Sequence, residues 1–194
     1  MINQNLHDGQ AAGTHICVRS RQRFLVGRAK YVMTLISMIC VVSAVSAEDS
    51  YVPCKRFNRS TECIAVPLAS MEQDAVAKTF CASASDKAKV YIVRSYTIEP
   101  KTKTEISVDG EFFAELAPLT YAVFDLDPGT HQLKAHTDHD FWITLELKPG
   151  KTYYINHQLT LLFNTVKGAL KMMDEEDGQA AVLRTKLVKP LERK

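Results

Sequence analysis

The densest run of metal-capable side chains is His136-Thr137-Asp138-His139-Asp140. At a hairpin tip, imidazoles and carboxylates at this spacing could converge on zinc or copper, with His131 or His157 contributed from adjacent strands. His136, Asp138, His139 and Asp140 are therefore the candidate metal ligands. The same pentapeptide also reads as a solvated turn in which Asp supplies the turn chemistry. Both readings stay open. Asp125-Leu126-Asp127 before Pro128-Gly129 has two carboxylates of a calcium loop but no glutamate at the twelfth position, so it reads as a turn. Trp142, Tyr153 and Tyr154 could form an aromatic platform on one sheet face, of the kind that takes sugars or peptides. Aromatics in strands otherwise fill cores or pair across strands.

A search for catalytic signatures finds no nucleophile elbow, zinc-protease helix, phosphate loop or dinucleotide fingerprint. No catalytic or cofactor-binding residue is assigned, and a protein that binds without catalysing, and without a cofactor, is expected.

These residues need elements to position them. From Lys87 onward, side chains alternate with period two. Ala88–Tyr96 is rich in β-branched and aromatic residues and reads as a strand. Thr104–Val108 and Glu111–Leu116 flank Asp109-Gly110, a two-residue hairpin signal. Thr120–Leu126 is a further strand, closed by Asp127-Pro128-Gly129-Thr130. Beyond that turn His131, Leu133, Ala135 and Thr137 share a face, and Phe141, Ile143, Leu145 and Leu147 oppose Trp142, Thr144, Glu146 and Lys148. After Pro149-Gly150, Tyr153, Ile155, His157 and Leu159 oppose Tyr154, Asn156 and Gln158. The fold class predicted is mainly β: a small antiparallel β-sandwich of six or seven strands in residues 87–189. The tight turns leave no room for long crossovers, which excludes a parallel α/β sheet.

A short helix is predicted on either side of the strands. Ser70 and Gln73 stand where a capping box wants them, and Met71, Ala75, Val76 and Phe80 fall on one stripe. At the other end, Asp174-Glu175-Glu176-Asp177 suits a helix dipole, and Ala180, Leu183 and Leu187 share helical spacing. Residues 48–86 read as a linker arm carrying the first helix.

The N-terminal 47 residues form a leader. Val32–Ala47 is uncharged and apolar, follows a basic cluster and ends in Val45-Ser46-Ala47, as a signal peptide does. A start at Val26 or Met33 would give a leader of ordinary length. Cys40 follows Met38-Ile39 rather than small residues, so a lipoprotein box is not expected. Cleaved or retained as an anchor, the leader places the domain outside the cytoplasm, in the periplasm or facing it, with membrane contact only through the leader. It also carries the basic excess: Asp8 stands against Arg19, Arg21, Arg23, Arg28 and Lys30, leaving the remainder slightly acidic and unsuited to nucleic acid. In an oxidising compartment the cysteines pair. Cys54 and Cys63 bracket a polar loop and are the preferred pair, with Cys81 left as a buried thiol; the sequence does not choose among the three pairings.

The succession KAKVYIVRSY, VDGEFFAEL, TYAVFDLDPGTHQL, LKPGKTYYI and DEEDGQAAVL resembles a family of bacterial envelope and lipoprotein domains catalogued as Domain of Unknown Function 2846. It is similar, more distantly, to PEGA-type surface modules. The resemblance spans roughly Gln73 to Leu187 and implies a compact β-sandwich outside the membrane, with no catalytic residues to carry over. Together these observations predict an exported cell-envelope module, binding or structural, whose partner is an envelope protein or a cell-wall polymer. The alternatives are an envelope hydrolase acting on peptidoglycan or lipid, and a periplasmic metal-binding protein.

Overall fold

The computed structural model describes residues 54–56, 59–61, 63–163 and 165–189. The chain divides into two units, residues 1–43 and 44–194, and the expected leader, 1–47, lies outside the described residues. Among the described residues, no helix is long and apolar enough to cross a membrane.

The predicted strands Thr104–Val108, Glu111–Leu116 and Thr120–Leu126 form with those boundaries and the first ends early, at Arg94, while Thr165–Met173 and Lys186–Leu187 are strands that the alternation does not predict. In chain order the strands are β1 (Cys54–Arg56), β2 (Arg59–Thr61), β3 (Ala88–Arg94), β4 (Thr104–Val108), β5 (Glu111–Leu116), β6 (Thr120–Leu126), β7 (Gly129–His136), β8 (Asp140–Leu147), β9 (Thr152–Leu162), β10 (Thr165–Met173) and β11 (Lys186–Leu187). Helices α1 (Met71–Ala77) and α2 (Glu175–Leu183) precede and follow the main strands. Strands β1 and β2 form a separate small hairpin. The rest form a five-stranded sheet, β10-β9-β3-β6-β11, and a four-stranded sheet, β5-β4-β7-β8.

The protein is therefore mainly β, as the alternation predicts, with nine strands in its two sheets among the described residues. The five-stranded sheet is mixed, because β3 pairs parallel to β9 and β11 parallel to β6. A parallel pair needs a long connection. Here β4 to β8 intervene between β3 and β9, and β7 to α2 between β6 and β11, so both connections run through the other sheet, which local periodicity does not reveal.

The inner faces are those the alternation assigns. Val90, Ile92 and Ile155 from the five-stranded sheet meet Ile106, Val108, Leu133, Leu145 and Leu147 from the other. A bulge where β4 pairs β5 turns both Phe113 and Ala114 inward, so that Phe112 and Glu115 point out. Gly168 of β10 receives the Phe141 ring of β8; a Cβ there would lie 2.5 Å from ring carbons.

A second apolar layer lies on the outer face of the five-stranded sheet. Tyr91 stacks on Tyr154 at 5.1 Å between ring centroids, with Tyr121 and Phe80 beside them. Helix α2 seats on Tyr154 through Gly178, where a Cβ would come within 2.2 Å of the ring. The helix therefore buries Gly178, Ala181 and Val182 rather than the predicted stripe. Leu183 is exposed, and Leu187 belongs to β11. Spacing alone favoured the larger side chains, but the close seat on Tyr154 selects the smaller ones.

Helix α1 has its expected capping box: Ser70 Oγ accepts from Gln73 N, and Gln73 Oε1 from Ser70 N. Its predicted stripe is overturned, since Met71 and Val76 point to solvent. The inward anchor is a carboxylate. Asp74 accepts from Lys78 Nζ at 2.8 Å, from Leu187 N at 3.0 Å and from the Tyr121 hydroxyl at 3.0 Å. Burial works against its charge, but these donors outweigh burial and hold its pKa below the ordinary aspartate value.

The stretch before α1 is irregular but packed, unlike a free arm. Val66 is buried in the main core, and Ile64 N and Ala69 N donate to Pro100 O and Leu187 O. Cys63 and Cys81 are each disulfide-bonded, so Cys81 is not the spare thiol expected of it. The Cys54 side chain lies outside the described residues.

Candidate functional site

Three histidine-containing clusters could do chemistry, and their surroundings differ. The first lies at the turn end of the sandwich. There Lys87, Asp109, Glu111, Asp125, Asp127 and His131 line an open cleft of about 370 Å³. His131 Nδ1 lies 2.6 Å from Asp109 Oδ2, a spacing shared with catalytic dyads. However, Nε2 also points at a fixed acceptor, the Asp127 carbonyl, at 2.9 Å. Two acceptors demand two N–H donors, which only imidazolium has. Burial opposes that charge, yet the Asp109 carboxylate and the Asp127 carbonyl outweigh it and raise the His131 pKa. An imidazolium engaged at both nitrogens has no lone pair with which to accept a proton. His131 is a clasp joining the Asp109-Gly110 turn to the Asp127-Pro128-Gly129 turn. Lys87 reinforces it by pairing with Asp127 at 2.6 Å.

The second cluster lies inside the sandwich at the other end. The register of β3 on β9 sets Arg94 next to His157 on the inner face, and both are fully buried. Arg94 donates to the carbonyls of Thr102, Ile98 and Glu99, tying the 98–102 loop down. Burial, reinforced by the Arg94 charge, pushes the His157 pKa down to about 3. Among the described residues, neither nitrogen of this neutral ring has a hydrogen-bond partner, nor has Arg94 Nε or Thr104 Oγ1. Tyr96 closes the strand edge beside it, donating to His157 O and accepting from Leu159 N.

The third cluster holds the candidate metal ligands and lies on the outer face of the four-stranded sheet. His136 and Asp140 are cross-strand partners, with His136 Nδ1 2.6 Å from Asp140 Oδ1. Asp138 and His139 are exposed in the turn between β7 and β8. Among the described residues, no three His, Cys, Asp or Glu side chains group closely enough to hold a metal ion. The structure thus brings together two of the four predicted ligands. His131 and His157 lie in the other two clusters.

The strand register extends this pair into two rows across the sheet. One row runs Phe112–Ser107–Lys134–Trp142 and the next Glu115–Glu105–His136–Asp140, each from β5 through β4 and β7 to β8. Further along lie the pairs Gln132–Thr144 and Thr130–Glu146, the latter hydrogen-bonded at 2.8 Å. Trp142 is 52 % exposed and Phe112 43 %, large values for aromatic residues within strands. Lys134 Nζ lies 5.9 Å from the Trp142 ring centroid, within cation–π range. The predicted platform of Trp142, Tyr153 and Tyr154 is dispersed. Tyr154 is buried beneath α2, Tyr153 is half-buried and packs toward the inner core, and Trp142 is the exposed one of the three. Phe112 was missed. The bulge that turns it outward breaks the alternation, and no turn residue marks its place.

No family model matches this chain. An uncharacterized protein of Haemophilus influenzae is similar to it, with 29 % identity over 122 residues, covering 62 % of this chain and 72 % of that protein.

Proposed function

We propose that this protein is an exported cell-envelope module that binds rather than catalyses, and that it holds its partner on the outer face of the four-stranded sheet. The observation that carries this reading is the inequality of the two outer faces. One is sealed by α1 and α2 over a tyrosine layer, while the other presents Trp142 and Phe112 to solvent. Exposed aromatics on a fixed scaffold are typical of recognition surfaces. Disulfide-bonded Cys63 and Cys81 and the signal-peptide pattern ending at Ala47 support an oxidising compartment. The occupied ring nitrogens of His131 and the burial of His157 argue against either as a general base. A base such as His136, oriented by Asp140, would still need a nucleophile beside it. Its cross-strand partners Glu105 and Asp140 offer no hydroxyl or thiol, and the Ser107 hydroxyl one row away is buried.

The test is recovery of the tagged full chain from fractionated cells, with N-terminal sequencing and analysis of what co-purifies. The reading expects material in the envelope fraction, cut after Ala47 or retained on the membrane, with partners that a Trp142→Ala/Phe112→Ala variant fails to recover. Cytoplasmic protein with an intact leader, or undiminished recovery by the variant, would contradict it. Turnover of peptidoglycan or lipid would favour the hydrolase alternative.

A further inference from the structure

We infer that the open sheet face takes an uncharged polysaccharide strand, laid across the four strands from Phe112 to Trp142. This inference rests on the reading of that face as the binding surface and names the class of its ligand. The two aromatic side chains stand at opposite edges, on β5 and β8, in one cross-strand row. Three interstrand spacings separate them, about 14 Å. That distance suits an extended run of a few pyranose rings and exceeds one monosaccharide. Between the two posts the row narrows to Ser107, whose hydroxyl is buried and has no hydrogen-bond partner among the described residues. A buried hydroxyl without a partner is costly unless something satisfies it, and a sugar hydroxyl reaching between Phe112 and Lys134 would do so.

The composition of the face decides among partner classes. Nucleic acid or an anionic lipid surface would need a cationic excess. Here Glu105, Glu115, Asp140 and Glu146 outnumber Lys103 and Lys134. A protein partner would want a core depleted of charge, yet both aromatics are embedded among Glu105, Gln132, His136, Asp140 and Thr144. An added peptide strand would use a sheet edge rather than a face. A sugar polymer fits what remains. Its rings present C–H faces to flat aromatics, and its hydroxyls serve as both donors and acceptors to the carboxylates, imidazole and amides alongside.

Trp142 is the chain's single tryptophan, so its fluorescence reports directly on the site. The experiment titrates the folded protein with the mono-, di- and tetrasaccharide of β-linked N-acetylglucosamine, following Trp142 emission. Saturable change with the tetrasaccharide is expected, with the monosaccharide about tenfold weaker or more. Phe112→Ala should weaken the tetrasaccharide about tenfold and leave the monosaccharide unchanged, because only the longer ligand reaches the second post. Ser107→Ala, which keeps both posts, should also weaken the tetrasaccharide. Emission unmoved by every oligosaccharide would overturn the proposal, as would equal tetrasaccharide binding by Phe112→Ala and the unaltered protein. Tighter binding of a sulfated polysaccharide would also overturn it. If the sugars are silent while Trp142→Ala/Phe112→Ala still loses its envelope partner, the ligand class falls and the binding face stands. If that recovery is also unchanged, both fall.

Discussion

The two outer faces of this sandwich carry aromatic side chains in similar number and use them oppositely. On the five-stranded sheet, Tyr91, Tyr121 and Tyr154 lie beneath helices. The hydroxyls of Tyr91 and Tyr121 are tied to Ala77 O and Asp74 Oδ1. Burial raises the pKa of all three, so they remain neutral phenols. On the four-stranded sheet, Trp142 and Phe112 have no helix over them among the described residues, and their strand neighbours are charged or polar. An aromatic residue in a strand is thus structural or functional according to what the chain later lays on it. The pattern within the strand does not decide.

The comparison breaks most sharply at Gly178. Gly178→Val would drive a side chain into Tyr154 and lift α2. We expect a loss of about 3 kcal/mol or more in denaturant unfolding, with hydrogen exchange opening first along α2. A variant as stable as the parent would mean that the covered face is not sealed by that helix.

The layer shared by both sheets is probed by pH. The folded-state pKa of His157, about 3, lies below the ordinary value of 6.5, so as pH falls the unfolded chain takes up the proton first. Stability from keeping this ring neutral is complete above about pH 6.5. It is lost toward pH 3 at roughly 1.4 kcal/mol per pH unit within that window. His157→Leu should remove this part of the acid limb while leaving both outer faces intact. Acid unfolding curves of equal slope for the two proteins would contradict the assignment.

Asp74 tests how α1 is held. Asp74→Ala leaves Lys78 the Thr185 carbonyl but no carboxylate, and removes the acceptor from Leu187 N and Tyr121, for an expected loss of about 2 kcal/mol in thermal or chemical unfolding. The smallest effect belongs to the open face. Trp142→Ala and Phe112→Ala should each change stability by no more than about 0.5 kcal/mol, since neither side chain fills the core. A loss comparable to that of Gly178→Val would show that the open face is structural after all.

Much of this contrast could be read from the sequence, and the rest fails for definite reasons. Period-two alternation places His131, Leu133 and Ala135, then Phe141 to Leu147, then Tyr153 to Leu159, on the inner side. Asp109, Gly110 and Gly150 take the positive φ values that their turns require. Ser70 and Gln73 cap as their spacing demands. What the alternation lacks is information about which strands meet. It could not show that β3 lies parallel to β9, nor that Arg94 and His157 thereby become neighbours. Nor does helical spacing foresee a helix seated through Gly178 or anchored by Asp74, because it scores apolar size. The turn at His136–Asp140 drew notice for its density of ligand types, whereas its geometry yields one His–Asp pair beside an exposed tryptophan.

Site-specific photocrosslinking in intact cells measures directly which face of the sandwich meets the partner. A photoreactive residue at Thr144, beside Trp142 on the open face, should give discrete adducts. The same probe at Glu176, exposed on α2, should give none. Adducts from Glu176 with none from Thr144 would contradict the account and make the helical side the one that binds.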